Sequence, residues 1–172
     1  QGVIMEITLA NQDNGITTDQ GYYTIGEMFN AAASRFIFED YRDNKADNTI
    51  TRHKKELKNF SAFLSLPDID YPNHGMETPE EWSGITFGVI EGYKKYMLNK
   101  GYSVSSTNQT IYIIKAYAAL AGKAGYIDHI ELAKIREIKG FKAGEIVHID
   151  QKRKAAGTDT RISTKKETAR NL

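Results

Sequence analysis

The chain has 172 residues, a net charge of +1, no Cys and 40% hydrophobic residues. This length and apolar content suffice for one ordinary domain, and the absence of Cys excludes disulfides, Cys-ligated zinc and thiol catalysis. The absence of Cys fits a reducing compartment, so we expect a cytoplasmic location, and we expect no membrane partner because no apolar run approaches the roughly 18 residues of a membrane span.

Charged side chains are unevenly distributed along the chain. Residues 1–100 carry ten Lys and Arg against fifteen Asp and Glu, whereas residues 101–172 carry thirteen against seven. Such asymmetry is compatible with one end or one face that meets phosphate groups. Two solvated segments of different charge would give the same distribution, so composition leaves a nucleic-acid partner open.

Five segments repeat apolar residues at helical spacing and carry helix start or stop signals. Thr24 with Glu27 and Asp128 with Glu131 have the spacing of a capping box. Gly residues follow the third and fourth segments, where they can end a helix. The predicted helices cover approximately residues 24–40, 49–66, 86–100, 103–123 and 128–140, with one short turn at 78–82.

Short loops between these segments favour a mainly α fold, an orthogonal bundle of four to five helices. We interpret residues 1–23 as an N-terminal extension that can be partly extended, and residues 24–140 as the helical domain. Residues 141–172 are predicted to be a linker. In that linker, the patterns at 145–149 and 161–163 predict strands, which would form a short β-hairpin; the alternative is an extended basic tail.

The start of the fourth helix is unusually polar. Six hydrogen-bonding side chains precede its apolar stripe: Ser105, Ser106, Thr107, Asn108, Gln109 and Thr110. Such a helix end suits the approach of a polar surface, and a nucleic-acid groove is one candidate. The competing interpretation is an ordinary exposed helix start with redundant N-cap residues.

No catalytic or metal-binding pattern is present in the sequence. The four His residues lack metal-ligand spacing, and no phosphate-binding glycine loop occurs. A tyrosine that attacks phosphate needs basic neighbours, and no His-x-x-Arg pair accompanies the ten Tyr residues. We therefore interpret the Tyr residues as amphipathic residues at the edge of the core, and we expect no catalytic residue, metal or cofactor.

The order of these segments resembles the N-terminal part of tyrosine recombinases, the phage integrases. Residues 48–64 resemble that family's "Thr…Tyr…Leu…Phe…Phe-Leu" helix, and residues 82–101 its "Trp…Ile-Thr…Ile…Tyr…Tyr-Leu…Gly" helix. Residues 103–127 are similar to its "Ser…Ser-Thr-x-Asn…Leu…Ile-Lys…Ala…Ala…Gly-x-Ile" helix. Residues 160–166 resemble the lead-in to its catalytic domain.

The resemblance implies a core-binding domain, also called SAM-like, that clamps one side of duplex DNA through its second and fourth helices. It implies that the first and fifth helices contact neighbouring recombinase protomers, in a tetrameric synapse. The Arg, Lys, His-x-x-Arg and Tyr constellation belongs to a separate catalytic domain that is not visible here. We therefore expect a fragment that binds DNA without cutting it, derived from a full-length tyrosine recombinase.

The resemblance places the DNA contacts on the second and fourth helices, although a solvated charged face would also explain the basic residues of the second; the basic tail is a further candidate. At the start of the fourth helix the family often has Arg, whereas this chain has Asn108, Gln109 and Thr110. Amide readout of a base edge is therefore favoured here over phosphate neutralisation. Lys152, Arg153 and Lys154 are expected to follow the DNA backbone as part of a flexible linker. The candidate residues on the helices are Thr51, Arg52, Lys55, Lys58, Ser106, Thr107, Asn108, Gln109 and Lys115.

A second function class remains open from the sequence. The near-neutral net charge and the acidic first half also fit a helical protein-interaction or adaptor module without a nucleic-acid role.

Overall fold

The helical segments fold as seven α-helices and one 3-10 helix in the residues that the computed structural model describes, 24–65 and 75–157. No strand occurs within these two ranges, so the predicted mainly α fold is confirmed. The expectations for residues 1–23 and 161–163 lie outside them. The elements are α1 (Ile25–Arg35), α2 (Ile37–Asp43), α3 (Asp47–Leu64), the 3-10 helix (Pro79–Trp82), α4 (Phe87–Asn99), α5 (Val104–Lys123), α6 (His129–Glu137) and α7 (Ala143–Ala155).

Helix α5 is the centre of the bundle. It packs against α3, α4, α6 and the 3-10 helix, so it is covered on most of its sides. Its Tyr117 is fully buried and meets Phe38 edge to face, with 5.0 Å between ring centroids. Trp82 is also fully buried, and its indole N–H donates to the Met76 carbonyl at 3.2 Å. A central helix has little outer surface, which limits the side chains that α5 can present to a ligand.

Several helix ends are closed as the sequence predicts. Thr24 and Glu27 form a capping box, because the Glu27 amide donates to the Thr24 hydroxyl and the Thr24 amide donates to the Glu27 carboxylate. Gly101 and Gly125 have φ angles of 86° and 89°, the left-handed conformation that favours Gly after a helix. Residues close to each of these helix ends in the sequence therefore determine where the helix begins or ends.

The predicted capping box at the start of α6 is only half formed. Asp128 accepts hydrogen bonds from the amides of Ile130 and Glu131, as an N-cap residue should. The carboxylate of Glu131 does not reach back, however, and accepts from the Phe87 amide at 2.6 Å. Glu131 thus satisfies an amide at the N-terminus of α4 and joins the two helices.

Two further predictions are corrected. The predicted first helix is two helices, α1 and α2, separated at Phe36. The predicted strand at 145–149 is wrong, since these residues lie in α7. The half-buried residues of α7 recur at helical spacing, not at the alternation of a strand. They are Ile146, Ile149, Asp150 and Arg153.

None of the helices in the described ranges combines the length and apolarity that crossing a membrane requires.

A substitution at Gly122 tests the packing of α5 on α6. A Cβ atom at this position would lie 2.6 Å from Leu132 Cδ2, so Gly122→Ala should overpack the contact. We expect the free energy of unfolding in urea to fall by about 1–3 kcal/mol. Gly88→Ala is the control, because its Cβ would have no neighbour closer than 3.8 Å and Ala favours a helix. Because Ala also favours a helix at position 122, the comparison between the two variants is decisive: a Gly122→Ala variant as stable as Gly88→Ala would contradict this packing.

Candidate nucleic-acid interface

A buried hydrogen bond joins α3 to α5. Glu56 on α3 is 1% exposed and Thr110 on α5 is fully buried. The Thr110 hydroxyl donates to Glu56 Oε2 at 3.0 Å. Because an unpaired carboxyl group in the interior is costly, this bond fixes how the two helices lie against each other. The outer surfaces of α3 and α5 are thereby held in one arrangement.

These outer surfaces form one polar surface, which we call the α3–α5 face. It consists of Asn48, Thr51, Arg52 and Lys55 from α3, and Ser105, Gln109 and Tyr112 from α5. A hydrogen bond from Arg52 Nη2 to Gln109 Oε1 crosses between the helices. Beside it lies an open cavity of about 540 Å³, lined in part by Asn48, Tyr112 and His53.

The charge of the α3–α5 face is positive. Arg52 and Lys55 lie on it, and Lys58 is exposed one turn further along α3. Helix α5 contains no acidic residue, and its N-terminus carries the positive end of the helix dipole. Lys54 is not part of this face, and its ammonium group lies 3.4 Å from Glu77. A phosphate group would therefore meet cations on this face and no carboxylate from α5.

Two of the sequence-predicted residues lie inside the fold. Ser106 is 7% exposed, and its backbone amide and hydroxyl both pair with the Ser103 hydroxyl. Thr107 is fully buried, and its hydroxyl donates to the Ser103 carbonyl at 3.0 Å. The polar start of α5 is thus divided, with Ser106, Thr107 and Thr110 turned inward. Ser105 and Gln109 remain exposed.

Asn108 is half-buried and binds the chain between α6 and α7. Its side-chain NH₂ donates to the Phe141 carbonyl at 3.0 Å, and the Phe141 amide donates to its Oδ1 at 2.8 Å. A Cβ atom on the adjacent Gly140 would lie 2.9 Å from the same oxygen, so the two segments approach closely. The Asn108 amide is therefore occupied by backbone, although the sequence suggested a base contact.

Lys115 also contacts backbone. Its ammonium group donates to the carbonyls of Arg136 and Ile138, at 2.9 and 2.6 Å. These carbonyls end α6 and have no partner within that helix, so Lys115 stabilises its C-terminus. Burial, and then the charge of Lys94, lower the pKa of Lys115.

The three basic residues expected in a flexible linker lie in the last turn of α7. Lys152 and Lys154 are exposed, whereas Arg153 is half-buried and donates to the Leu98 carbonyl at 2.6 Å. Leu98 lies in the last turn of α4, so Arg153 attaches α7 to that helix end. The helical conformation of these residues corrects the prediction of a flexible linker.

Tyr112 is a residue of this face that sequence reasoning missed, as it missed Asn48 and Ser105. Tyr112 is 75% exposed and lines the cavity beside Gln109. From the sequence, the Tyr residues are expected at the edge of the core. The signal was present, because Ser105, Gln109 and Tyr112 follow i, i+4, i+7 spacing and share one side of α5.

Comparison with known proteins identifies the family. Residues 28–136, more than half of the chain, match the model of the phage integrase SAM-like domain. Searches of curated proteins and of solved structures gave no significant match. The chain therefore belongs to the phage integrase SAM-like domain family, whose members are modules related to DNA recombination.

The contacts of Asn108 generate a test of local stability. Asn108→Ala removes both bonds to Phe141, so amide hydrogen exchange at Phe141 and along α7 should become faster than in wild type. The free energy of unfolding should fall by about 1–3 kcal/mol. Asn48→Ala is the control. Asn48 lines the cavity beside Gln109, as Asn108 also does, but its side chain is exposed. Unchanged exchange at Phe141 would show that Asn108 does not hold this segment.

The environment of His53 generates a test with pH. Burial, followed by the charges of Lys45 and Arg52, lowers the pKa of His53 below its usual 6.5. The unfolded chain then binds a proton more readily, so stability should fall as pH decreases below about 6.5 and level off below the folded pKa. We expect His53→Gln to lose this decline in urea unfolding between pH 7.5 and 5. His129→Gln, a change at an exposed His, should keep it; a decline that His53→Gln retains would contradict the assignment.

Proposed function

We propose that this domain binds duplex DNA at a recombination site through the α3–α5 face. The observation that carries the proposal is the joined surface itself. Arg52 and Lys55 lie on it with Gln109, no acidic residue of α5 opposes them, and Glu56 fixes the two helices together inside. Cations of this kind bind phosphate, while amide and guanidinium groups can reach base edges.

The proposal assigns different roles to the predicted residues. Arg52, Lys55 and Lys58 would contact phosphate or bases, with Thr51 beside them on α3. On α5 the contacts come from Ser105, Gln109 and Tyr112. Ser106 and Thr107 would stabilise the start of α5 through their bonds to Ser103. Asn108 and Lys115 would hold the segment that leads into α7. Lys152 and Lys154 are exposed on α7 and remain candidates for contact with the DNA backbone.

The role in a larger protein is also a proposal. The family supports a parent tyrosine recombinase in which the helical domain, residues 24–140, clamps DNA without cutting it, and the catalytic residues lie in another domain. Working on DNA, the protein would be cytoplasmic and would meet other protomers in a tetrameric synapse. Helix α1 supports the protomer contacts, because it buries no residue and exposes Ile25 and Phe29.

The same exposed residues of α1 favour the alternative function, a helical protein-interaction module without a nucleic-acid role. A DNA-binding measurement separates the two functions.

Titration of a fluorescent duplex with the full 172-residue chain tests DNA binding. Two phosphate contacts, from Lys55 and Lys58, predict a roughly 12-fold loss of affinity between about 50 and 200 mM salt. Lys55→Ala should weaken binding to all sequences alike and reduce the salt slope by about 1. Lys54→Ala removes the same charge from the adjacent position, but Lys54 lies off the α3–α5 face and beside Glu77, so its effect should be small.

The outcomes separate the explanations. No binding at about 50 mM salt, where phosphate contacts are strongest, would exclude the DNA function and leave the protein-interaction module. Equal effects of Lys54→Ala and Lys55→Ala would mean that only the overall charge matters and that the α3–α5 face is not the contact surface.

A further inference from the structure

The hydrogen bond between Arg52 and Gln109 determines which groups of both side chains remain available. A guanidinium group has only donors, so the side-chain oxygen of Gln109 must face Arg52 and its NH₂ group must point elsewhere. Arg52 is half-buried and Gln109 is exposed. The remaining N–H groups of Arg52 and the NH₂ of Gln109 are therefore the donors that this pair offers to a ligand, and only one lone pair of the Gln109 oxygen is left to accept.

This arrangement disfavours the usual recognition of adenine by Gln. Reading adenine requires the amide oxygen to accept from N6 while the NH₂ donates to N7. The oxygen of Gln109 keeps a second lone pair, but an adenine amino group placed there would bring its hydrogens against the Arg52 cation. A paired Gln109 therefore opposes adenine at this position.

An edge with two adjacent acceptors fits the donor pair. In the major groove guanine presents N7 and O6 as acceptors, whereas adenine and cytosine each present an amino donor and thymine presents one acceptor and a methyl group. Arg is well suited to N7 and O6 because its planar fork makes two parallel hydrogen bonds. The bond to Gln109 restrains the long Arg52 side chain in advance, which lowers the entropy lost on binding.

We propose that Arg52, positioned by Gln109, recognises guanine from the major groove, so that the α3–α5 face selects a G·C pair at the point where it meets the DNA. This inference rests on the proposed DNA-binding function and adds the base that the domain reads.

Selection from a pool of random duplexes with the full chain, followed by titration of single duplexes, tests the proposal. We expect the selected duplexes to share a guanine. Replacing that guanine by adenine, with its paired base, should weaken binding by roughly 5- to 150-fold, the range for one bidentate base contact. Replacing it by 7-deazaguanine, which lacks the N7 acceptor, should weaken binding in the same direction.

Three variants assign the roles of the two residues. Arg52→Ala should bind the guanine and adenine duplexes within about twofold of each other, because the base contact is lost. Gln109→Leu should reduce the preference for the guanine duplex over the adenine duplex, because Arg52 loses the side chain that positions it. The salt slope should stay unchanged, because no charge is removed. Lys55→Ala is the control that should bind every duplex more weakly and keep the full preference for guanine.

Each other result has a defined meaning. No binding to any duplex at about 50 mM salt would overturn the proposed function itself. Binding without a shared guanine, or a guanine preference that Arg52→Ala retains, would overturn the inference and leave DNA binding intact. A shared adenine that depends on Gln109 would mean that the amide reads the base directly, and full discrimination by Gln109→Leu would overturn its positioning role.

Discussion

The hydrogen bond between Thr110 and Glu56 is the constraint on which the polar surface of this domain depends. It lies in the interior between α3 and α5, where loss of a hydrogen bond to a buried carboxyl group would cost about 1–3 kcal/mol. That penalty disfavours sliding or rotation of one helix along the other. The relation between Arg52 and Gln109, which lie outside on the same two helices, is consequently fixed from within the core.

The polar residues of α5 serve two purposes because the helix lies at the centre of the bundle. Those that face α3 or the preceding turn are buried and satisfied by Glu56 or by Ser103. Those on the narrow outer stripe, Ser105 and Gln109, are exposed. A buried hydroxyl that is hydrogen-bonded to a neighbouring helix restricts the relative position of the two helices, which apolar contacts alone would allow to shift. The buried polar residues thereby help to position the exposed polar residues of the same helix.

The sequence predicts features that depend on neighbours in the chain. Helix caps such as Thr24 with Glu27 involve residues three apart, and the helical spacing of apolar residues marks each helix without reference to the others. The inward direction of Thr107 could not be predicted in this way, because it depends on which side of α5 the other helices cover. The contacts of Asn108 with Phe141 and of Lys115 with Ile138 bridge more than twenty residues, and no local pattern encodes them. The strand prediction at 145–149 failed because a short run of Ile and Val suits either a strand or a helix. The contact of Arg153 with the Leu98 carbonyl on α4 bridges 55 residues and is likewise invisible to a local pattern.

Two residues that the sequence predicted to contact DNA fix the path of the chain between α6 and α7. Asn108 and Lys115 lie on α5, the helix that also carries Gln109, and both hold the segment between α6 and α7. Lys94 on α4 donates to the Lys139 carbonyl in that segment. Since these bonds all end on backbone, they fix the path of the chain independently of its side chains there. Under the proposed function, DNA on the α3–α5 face would therefore be held in a defined relation to the start of α7.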